Sequence, residues 1–299
     1  MDTVSPPRKR EFLQPPTAQC RSLATELNKV PNQSKPAIPK SLSVLEMLKL
    51  GKEINEKATH PIELFGFDID LMAWSGSPTT VEFAVEKEAF GEGGFRKAFK
   101  ATSTTPGFRD RQWVVKRYIQ ASFNIINAIN QTIEQPTKKV IQMHMLARNF
   151  AAQLEQKLRN EDNLELYGET LRYKKIYLGK EEDGSVVSVE EYIDGKFAKY
   201  LNNNGEICGD ESHLVQRQKA ESLAHFSYEH SSYELMVVDM QGSGNCLVDP
   251  EIASKDQVVD DEYLFSAGNL TKRAIQNFVE AHRCNLYCEL LGLQELNSL

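Results

Sequence analysis

Long apolar runs are missing from this chain of 299 residues. No stretch approaches the roughly 18 consecutive apolar residues that cross a bilayer, and the opening Met1-Asp2-Thr3-Val4-Ser5-Pro6-Pro7 has no apolar secretory core. Both absences predict a cytoplasmic chain that is neither secreted nor integrated in a membrane. Cysteine is scarce as well: five residues, an odd number, with Cys20, Cys208 and Cys246 isolated and only Cys284 and Cys288 close together. This excludes a disulfide framework and reads as thiols or metal ligands in a reducing compartment. Clustered positive charge is lacking beyond the first forty residues. Residues 1–40 hold seven Lys or Arg against three Asp or Glu, about +4; with −7 for the whole chain, the rest carries about −11. An acidic body excludes broad electrostatic binding to DNA or RNA, which needs cations to displace counterions from phosphates.

What is present is ordinary globular composition, 40% hydrophobic and 26% charged, which suits one large domain or two small ones. Seven of the twelve prolines fall in residues 1–40, among Gln, Ser, Thr and Lys, so this segment reads as a disordered basic tail. Its Pro7-Arg8-Lys9-Arg10 run is either a nuclear-import or docking signal or a plain solvated run. Ser43-x-x-Glu46 ahead of Leu48, with a stop at Gly51, predicts a short capped helix inside a linker over 41–63.

Strand-like alternation follows at Val81–Glu86, Trp113–Tyr118, Lys175–Leu178, Val186–Val189 and Leu235–Val238. Helical spacing of Ile141, Met145, Phe150, Leu154 and Leu158 predicts a long helix over Thr137–Arg159, with Pro136 in its first turn. Further helices are expected over Leu214–Tyr228 and, as one piece, Thr271–Leu291. No internal repeat and no regular βα alternation occur, so the prediction is an α+β body with two lobes over 64–293 and a short tail at 294–299.

Phe90-Gly91-Glu92-Gly93-Gly94-Phe95-Arg96 puts three glycines in four positions between two strands, which lets backbone amides approach a phosphate, with Arg96 beside them. The plain alternative is a glycine-rich turn. Lys116 ends the apolar strand Trp113-Val114-Val115, where a cleft-facing lysine reaches nucleotide phosphates; the alternative is an exposed strand-end lysine. This order is that of a kinase nucleotide lobe, yet neither His-Arg-Asp nor Asp-Phe-Gly occurs, which excludes an ordinary protein kinase. Further on, period-2 geometry places Asp239 and Gln241 on one side of a strand, and the turn Gly242-Ser243-Gly244 returns Asp249 towards them. Two carboxylates and an amide oxygen suit magnesium and base chemistry. The alternative is a pair of turn aspartates. Finally, His282-x-Cys284-x3-Cys288 offers three zinc ligands, the cysteines on one helical face, with His225 or His230 as a fourth; buried thiols near a chance histidine are the alternative. His60, His144 and His213 read as surface or packing residues.

These segments, together with Glu190-Glu191-Tyr192-Ile193-Asp194-Gly195-Lys196-Phe197-x-Lys199-Tyr200-x-Asn202-Asn203-Asn204-Gly205, resemble the alpha-kinase catalytic domain in sequence order. The resemblance covers about 64–293. It implies a two-lobed atypical kinase fold with a structural zinc in the C-terminal lobe, and Ser/Thr phosphorylation of a protein substrate from ATP with magnesium. It implies that Gly91, Gly93, Gly94, Arg96 and Lys116 lie at the ATP phosphates and that Glu190 or Glu191 sits at the hinge near adenine. Lys199 and Asn202–Asn204 would shape the cleft, Asp239 would act on the substrate hydroxyl, Gln241 and Asp249 would hold magnesium, and His225 would complete the zinc site with His282, Cys284 and Cys288. One departure stands out: where the family carries a further glycine motif, Gly268-Asn269-Leu270 continues with Thr271 and Ala274 at later glycine positions. The plain reading is that Thr271 caps the last helix. The competing function class is a pseudokinase scaffold that binds nucleotide or partners. A zinc-dependent nucleic-acid module conflicts with the acidic body. Oligomeric state and substrate identity are not encoded in any motif found.

Overall fold

Alternating apolar residues along seven strands build an antiparallel sheet that closes on itself. The computed structural model describes residue 43 and residues 58–128, 130–256, 258–259, 262–263 and 270–296. The basic tail, the helix expected around Ser43 to Gly51 and the Gly268-Asn269 pair lie outside the described residues, apart from Ser43 itself. From residue 58 onward the chain belongs to one compact unit, Lys57–Leu299.

The sheet contains β1 (His60–Phe65), β4 (Thr79–Val85), β5 (Gly91–Glu92), β6 (Arg96–Ser103), β7 (Gln112–Tyr118), β9 (Ile176–Glu181) and β10 (Val186–Glu191), while the short β2 (Phe67–Asp68) and β3 (Ala73–Trp74) pair only with each other. The order is β4-β1-β9-β10-β7-β6-β5, and β4 also pairs with β6, so six strands form a barrel with no free edge between them. Its interior takes every second side chain: Ile62, Leu64, Val81, Phe83, Trp113, Val115, Val187 and Val189 pack as one cluster. The intervening residues of β7 and β10, among them Lys116, Ser188 and Glu190, face outwards. That alternation separates the two functions of these strands, since one face supplies apolar burial and the other supplies charge.

Between β7 and β8 (Arg172–Tyr173) run α1 (Gln120–Ala128), the long α2 (Glu134–Asn160) and a single turn, α3 (Leu164–Tyr167). The buried face of α2, from Ile141 through His144, Ala147 and Phe150 to Leu154 and Leu158, follows the predicted helical spacing. Ile141 packs with Phe67, Ile176 and Leu178 outside the barrel, whereas Leu154 and Leu158 enter the second core. Two lobes therefore share one helix.

The second lobe is built on a four-stranded sheet, β11 (Ala198–Lys199)-β13 (Gln241–Ser243)-β14 (Cys246–Val248)-β8, beside the pair β12 (Leu235–Val238) and β15 (Glu251–Ser254). Around them pack α4 (Leu214–His230), α5 (Thr271–Ala281) and α6 (Leu286–Leu290). Tyr200, Leu201, Leu223, Phe226, Met236, Val238 and Phe278 form the centre of this core. The chain crosses from one lobe to the other at 192–197, between β10 and β11.

Three expectations need correction. β1 begins at His60, inside the segment assigned to the linker 41–63, because Ile62 belongs to the barrel core. Leu296 is buried in the second core, so the folded part passes residue 293 and includes the first residues of the supposed tail. The single helix over Thr271–Leu291 is two helices. The break falls after Ala281, where His282 adopts extended backbone (φ −66°, ψ 138°), and Asn285 starts α6 by accepting hydrogen bonds from the Tyr287 and Cys288 backbone amides. Among the described residues no helix is long and apolar enough to cross a membrane.

Candidate active site and metal centre

The outward face of β7 and β10 carries the first group of charged residues. Register places Lys116 opposite Ser188, and the Lys116 ammonium, 11% exposed, lies 2.9 Å from the Glu190 carboxylate, 2% exposed. Ser188 donates a second bond to Glu190, at 3.1 Å. Lys116 also pairs with Asp249, which arrives from the other lobe. Arg96, at the start of β6, completes the cluster: it donates to Ser188 at 3.2 Å and to Asp249 at 3.3 Å. Partial burial alone would raise the Asp249 carboxyl, but the Lys116 and Arg96 cations outweigh it and hold the group well below the usual carboxylate range. Asp249 is accordingly ionised, and it joins the lobes electrostatically.

The glycine segment forms the hairpin of β5 and β6 above Arg96, closed by Gly93 N–H donating to the Arg96 carbonyl at 2.9 Å. Added side chains at Gly93 and Gly94 would meet nothing closer than 3.8 Å, so the backbone at this tip is open to solvent or to a ligand. Glu190 and Glu191, the two hinge candidates, point to opposite faces: Glu190 to Lys116, and Glu191 to Arg111.

A second group lies on the other lobe. Lys199 pairs in register with Gln241 across β11 and β13, and its ammonium donates to Asp239 at 2.7 Å. The Gln241 amide nitrogen donates to the other Asp239 oxygen at 3.1 Å and towards the Asp249 carbonyl at 3.4 Å. Asp239, Gln241 and Asp249 thus converge as expected, although strand alternation is not the reason. Asp239 and Asp249 both sit in the left-handed region, at φ 53° and 48°, and these two kinks turn the chain into and out of the β13–β14 hairpin. Burial raises the Asp239 pKa, the Lys199 bond and charge oppose it, and the Asp249 charge adds to the rise. The amide oxygen of Gln241 and the carboxylate of Asp249 remain as hard oxygen donors, the ligand type magnesium prefers.

Asn202–Asn204 support this arrangement from behind. The Asn202 side chain accepts from the amides of Asn204 and Glu206, both at 2.9 Å, and its carbonyl accepts from Asp239 N–H at 3.3 Å. Gly205 closes the turn at φ 79°, and a Cβ there would stand 2.1 Å from the Ala274 carbonyl of α5. The asparagine run is therefore a turn that holds the Asp239 backbone against α5.

The four soft ligands also come together. His225 of α4, His282 and Cys284 between α5 and α6, and Cys288 of α6 bring one ligand atom each within 4.8 Å of all the others. The Cys284 sulfur is 3.7 Å from His225 Nδ1, and the Cys288 sulfur is 3.6 Å from His282 Nε2. Tetrahedral zinc with ordinary Zn–S and Zn–N lengths places such pairs about 3.6 Å apart. Glu221 lies 3.4 Å from His282 Nδ1, and Glu229 lies 3.8 Å from His225 Nε2, so a carboxylate stands behind each imidazole. Without a cation the setting favours neutral ligands: burial pushes the Cys288 thiol up to about 12, and burial together with His282 brings His225 down to about 4. The sequence expectation that both cysteines ride one helix is corrected by the break at His282, since only Cys288 is helical. His230, the other candidate, stacks on Phe226 instead, with ring centroids 5.0 Å apart.

Comparison with known proteins decides the family. The alpha-kinase family model matches residues 91–288, two thirds of the chain. The chain belongs to the alpha-kinase family. Myosin heavy chain kinase B of Dictyostelium discoideum is 27% identical over 238 residues, covering 75% of this chain and 27% of that protein. Human eukaryotic elongation factor 2 kinase is 26% identical over 226 residues, covering 74% and 28%. The alpha-kinase shares its fold with the catalytic domain of myosin heavy chain kinase A, solved in complex with ADP: TM-score 0.64 and 21% identity, over 81% of this chain and 99% of that one. The chain spans little more than a quarter of the length of these two curated relatives.

Several residues at these sites carried no sequence signal. Ser188, Arg111, Glu221 and Glu229 are ordinary polar residues until the strands and α4 are placed. His144, read as a surface or packing residue, is fully buried with Nε2 2.7 Å from the Lys174 carbonyl, and its ring meets Tyr173 edge-on. Thr271 also differs from its reading. Leu270 occupies the cap position of α5 without a side-chain cap bond, and Thr271 itself adopts φ 52°. A β-branched residue in that region is strained by about 1 kcal/mol or more, which explains why a glycine suits the position. Thr271→Gly should therefore raise the melting temperature by about 2 °C, the strain relief exceeding glycine's entropic cost. A fall measured by calorimetry would show that the Thr271 side chain contributes more than its backbone costs.

Proposed function

We propose that this alpha-kinase transfers the γ-phosphate of ATP to serine or threonine hydroxyls of a protein substrate. The observation that carries the reading is the meeting of Lys116 and Glu190 from one lobe with Asp239, Gln241 and Asp249 from the other, below a bare glycine hairpin. Lys116 and Arg96 supply the cations that neutralise phosphate oxygens, and the amide of Gly94 at the bare tip supplies a further donor. The backbone where β10 ends, at Glu190 and Glu191, is the place for the adenine edge. Asp239 orients the acceptor hydroxyl and takes its proton, a task favoured by its raised pKa, while Lys199 fixes the carboxylate. The hydroxyl oxygen forms the new bond to the γ-phosphorus as the bond to the ADP oxygen breaks. Gln241 and Asp249 would hold magnesium, which when bound neutralises charge on the phosphates.

His225, His282, Cys284 and Cys288 would hold a structural zinc. Four protein ligands close its coordination shell, which leaves no position for a water nucleophile. The scaffold alternative, binding without catalysis, is disfavoured because Lys116, Asp239, Gln241 and Asp249 are all retained.

The function is tested by incubating purified protein with magnesium, γ-labelled ATP and general protein substrates, followed by phosphoamino-acid analysis. Phosphoserine or phosphothreonine is expected, and unlabelled substrate at saturating ATP would reject the reading. Lys116→Ala should lower kcat/KM for ATP by about 10²- to 10³-fold. Initial rates across ATP concentration check this, and unchanged kcat and KM would make Lys116 purely a structural partner of Glu190.

A further inference from the structure

We infer that a basic cleft behind the hinge docks an acidic segment of the protein substrate, an inference that rests on the kinase reading above. The cleft has a volume of about 830 Å³ and lies where β7 begins, α2 passes and the chain leaves β10. Six cations line it: Arg109, Arg111, Arg148, Arg172, Lys174 and Lys175. Only three lining acids oppose them, Asp110, Glu191 and Asp194. The contrast with the surrounding molecule is the first argument, because the chain beyond residue 40 carries about −11.

The second argument is which cations are already neutralised. Arg111 pairs with Glu191, Arg109 lies 3.7 Å from Asp110, and Arg172 lies 2.8 Å from Glu169. Arg148, Lys174 and Lys175 form no ion pair among the described residues. Arg148 and Lys174 are half-buried, and a partly desolvated cation without a partner favours an incoming anion. These three charges come from two separate elements, α2 and the link between β8 and β9, and the cleft is far larger than one phosphate group. An extended peptide with several negative charges fits both facts.

This cleft does not contain the phosphate and catalytic end of the nucleotide site. Lys116, Asp239 and Asp249 do not line it, and Glu191 points into it from the opposite face of the strand to Glu190. It borders Tyr192 and Asp194, at the start of the crossing between lobes, so a docked peptide would lie against the hinge without blocking the glycine hairpin. Carboxylates and phosphorylated side chains offer the same chemistry, and they are separated by the probes used.

The test is fluorescence anisotropy on the full chain, without ATP, using labelled oligo-glutamate, the same length of oligo-glutamine, a phosphoserine-containing peptide and single-stranded oligo-dT. Oligo-glutamate or the phosphopeptide should bind, whichever is tighter naming the source of charge, and binding should weaken about tenfold or more in Arg148→Gln/Lys174→Gln and in high salt. The same double variant should keep the wild-type KM for ATP. Equal binding of oligo-glutamine, tighter binding of oligo-dT, or undiminished binding in the double variant would each overturn the proposal. Because no catalysis enters this assay, acidic-peptide binding in a protein that transfers no phosphate would reject the kinase reading alone, and transfer without such binding would reject the docking site alone.

Discussion

Asp249→Asn is expected to abolish phosphoryl transfer, by about 10²-fold at least, in a protein that stays folded. The substitution preserves size and leaves the Gln241 bond to the residue 249 carbonyl intact, so the β13–β14 hairpin keeps its support. What disappears is one negative charge facing Lys116 and Arg96. Lys116 retains Glu190 as a partner and Arg96 retains Ser188, so neither cation is stranded. Asp249 is one-third exposed, and its packing loss is small. Activity and stability should therefore separate: turnover near background, with a melting temperature within a few degrees of wild type. Transfer at the wild-type rate would remove Asp249 from the reaction, whereas collapse of the fold would make it a structural tie between the lobes.

Loss of the zinc ligands should act in the opposite way, on the fold first. The four ligands draw α4, the His282–Cys284 segment and α6 to one point. α6 is five residues long, too short to hold itself, since isolated helices shorter than about a dozen residues are marginal in water. Structural zinc contributes about 10 kcal/mol or more of apparent binding energy in small domains, on the scale of a domain's whole net stability. Cys288→Ser removes one of two thiolates from a fully buried position, and the expected product is insoluble or melts many degrees lower. Elemental analysis should find one zinc per chain in the wild type and little in the variant. Metal-free protein with unchanged melting temperature and unchanged activity would make these four residues an ordinary buried cluster.

The strands that carry Lys116 and Glu190, and the one that leads into Asp239, were legible because apolar alternation and runs record burial on one or both faces, and barrel and lobe interiors impose that pattern directly. The glycine hairpin, the Asp239-to-Asp249 turn and the histidine and cysteine set were legible because each concentrates unusual residue types in a short stretch. Other features depend on tertiary placement. The pairing of β4 with β6 closes the barrel through strands adjacent in neither composition nor motif, and the apolar residues of α1 do not mark its buried face, since Ser122 and Ile126 are buried while Ile125 is exposed. The break at His282 comes from Asn285, a capping residue inside a segment whose apolar spacing otherwise continues. Strand alternation places Asp239 and Gln241 on one side and the glycine turn returns Asp249, while the chain reaches the same convergence through two left-handed residues, Asp239 and Asp249, that no period predicts. Arg148 and Lys174 belong to distant segments and form a cleft only when α2 lies across β8.

The most direct test of the central claim is single-turnover transfer from γ-labelled ATP by Asp239→Asn, with nucleotide affinity measured on the same preparation. Asp239 is held by Lys199 on one oxygen and Gln241 on the other; in the variant Lys199 can donate to the asparagine oxygen and the Gln241 amide, turned over, can accept from the asparagine NH2, so the site should keep its shape while losing its base. The account predicts nucleotide binding within a few-fold of wild type and transfer to protein hydroxyls reduced by about 10²-fold or more. Transfer at the wild-type rate would contradict it.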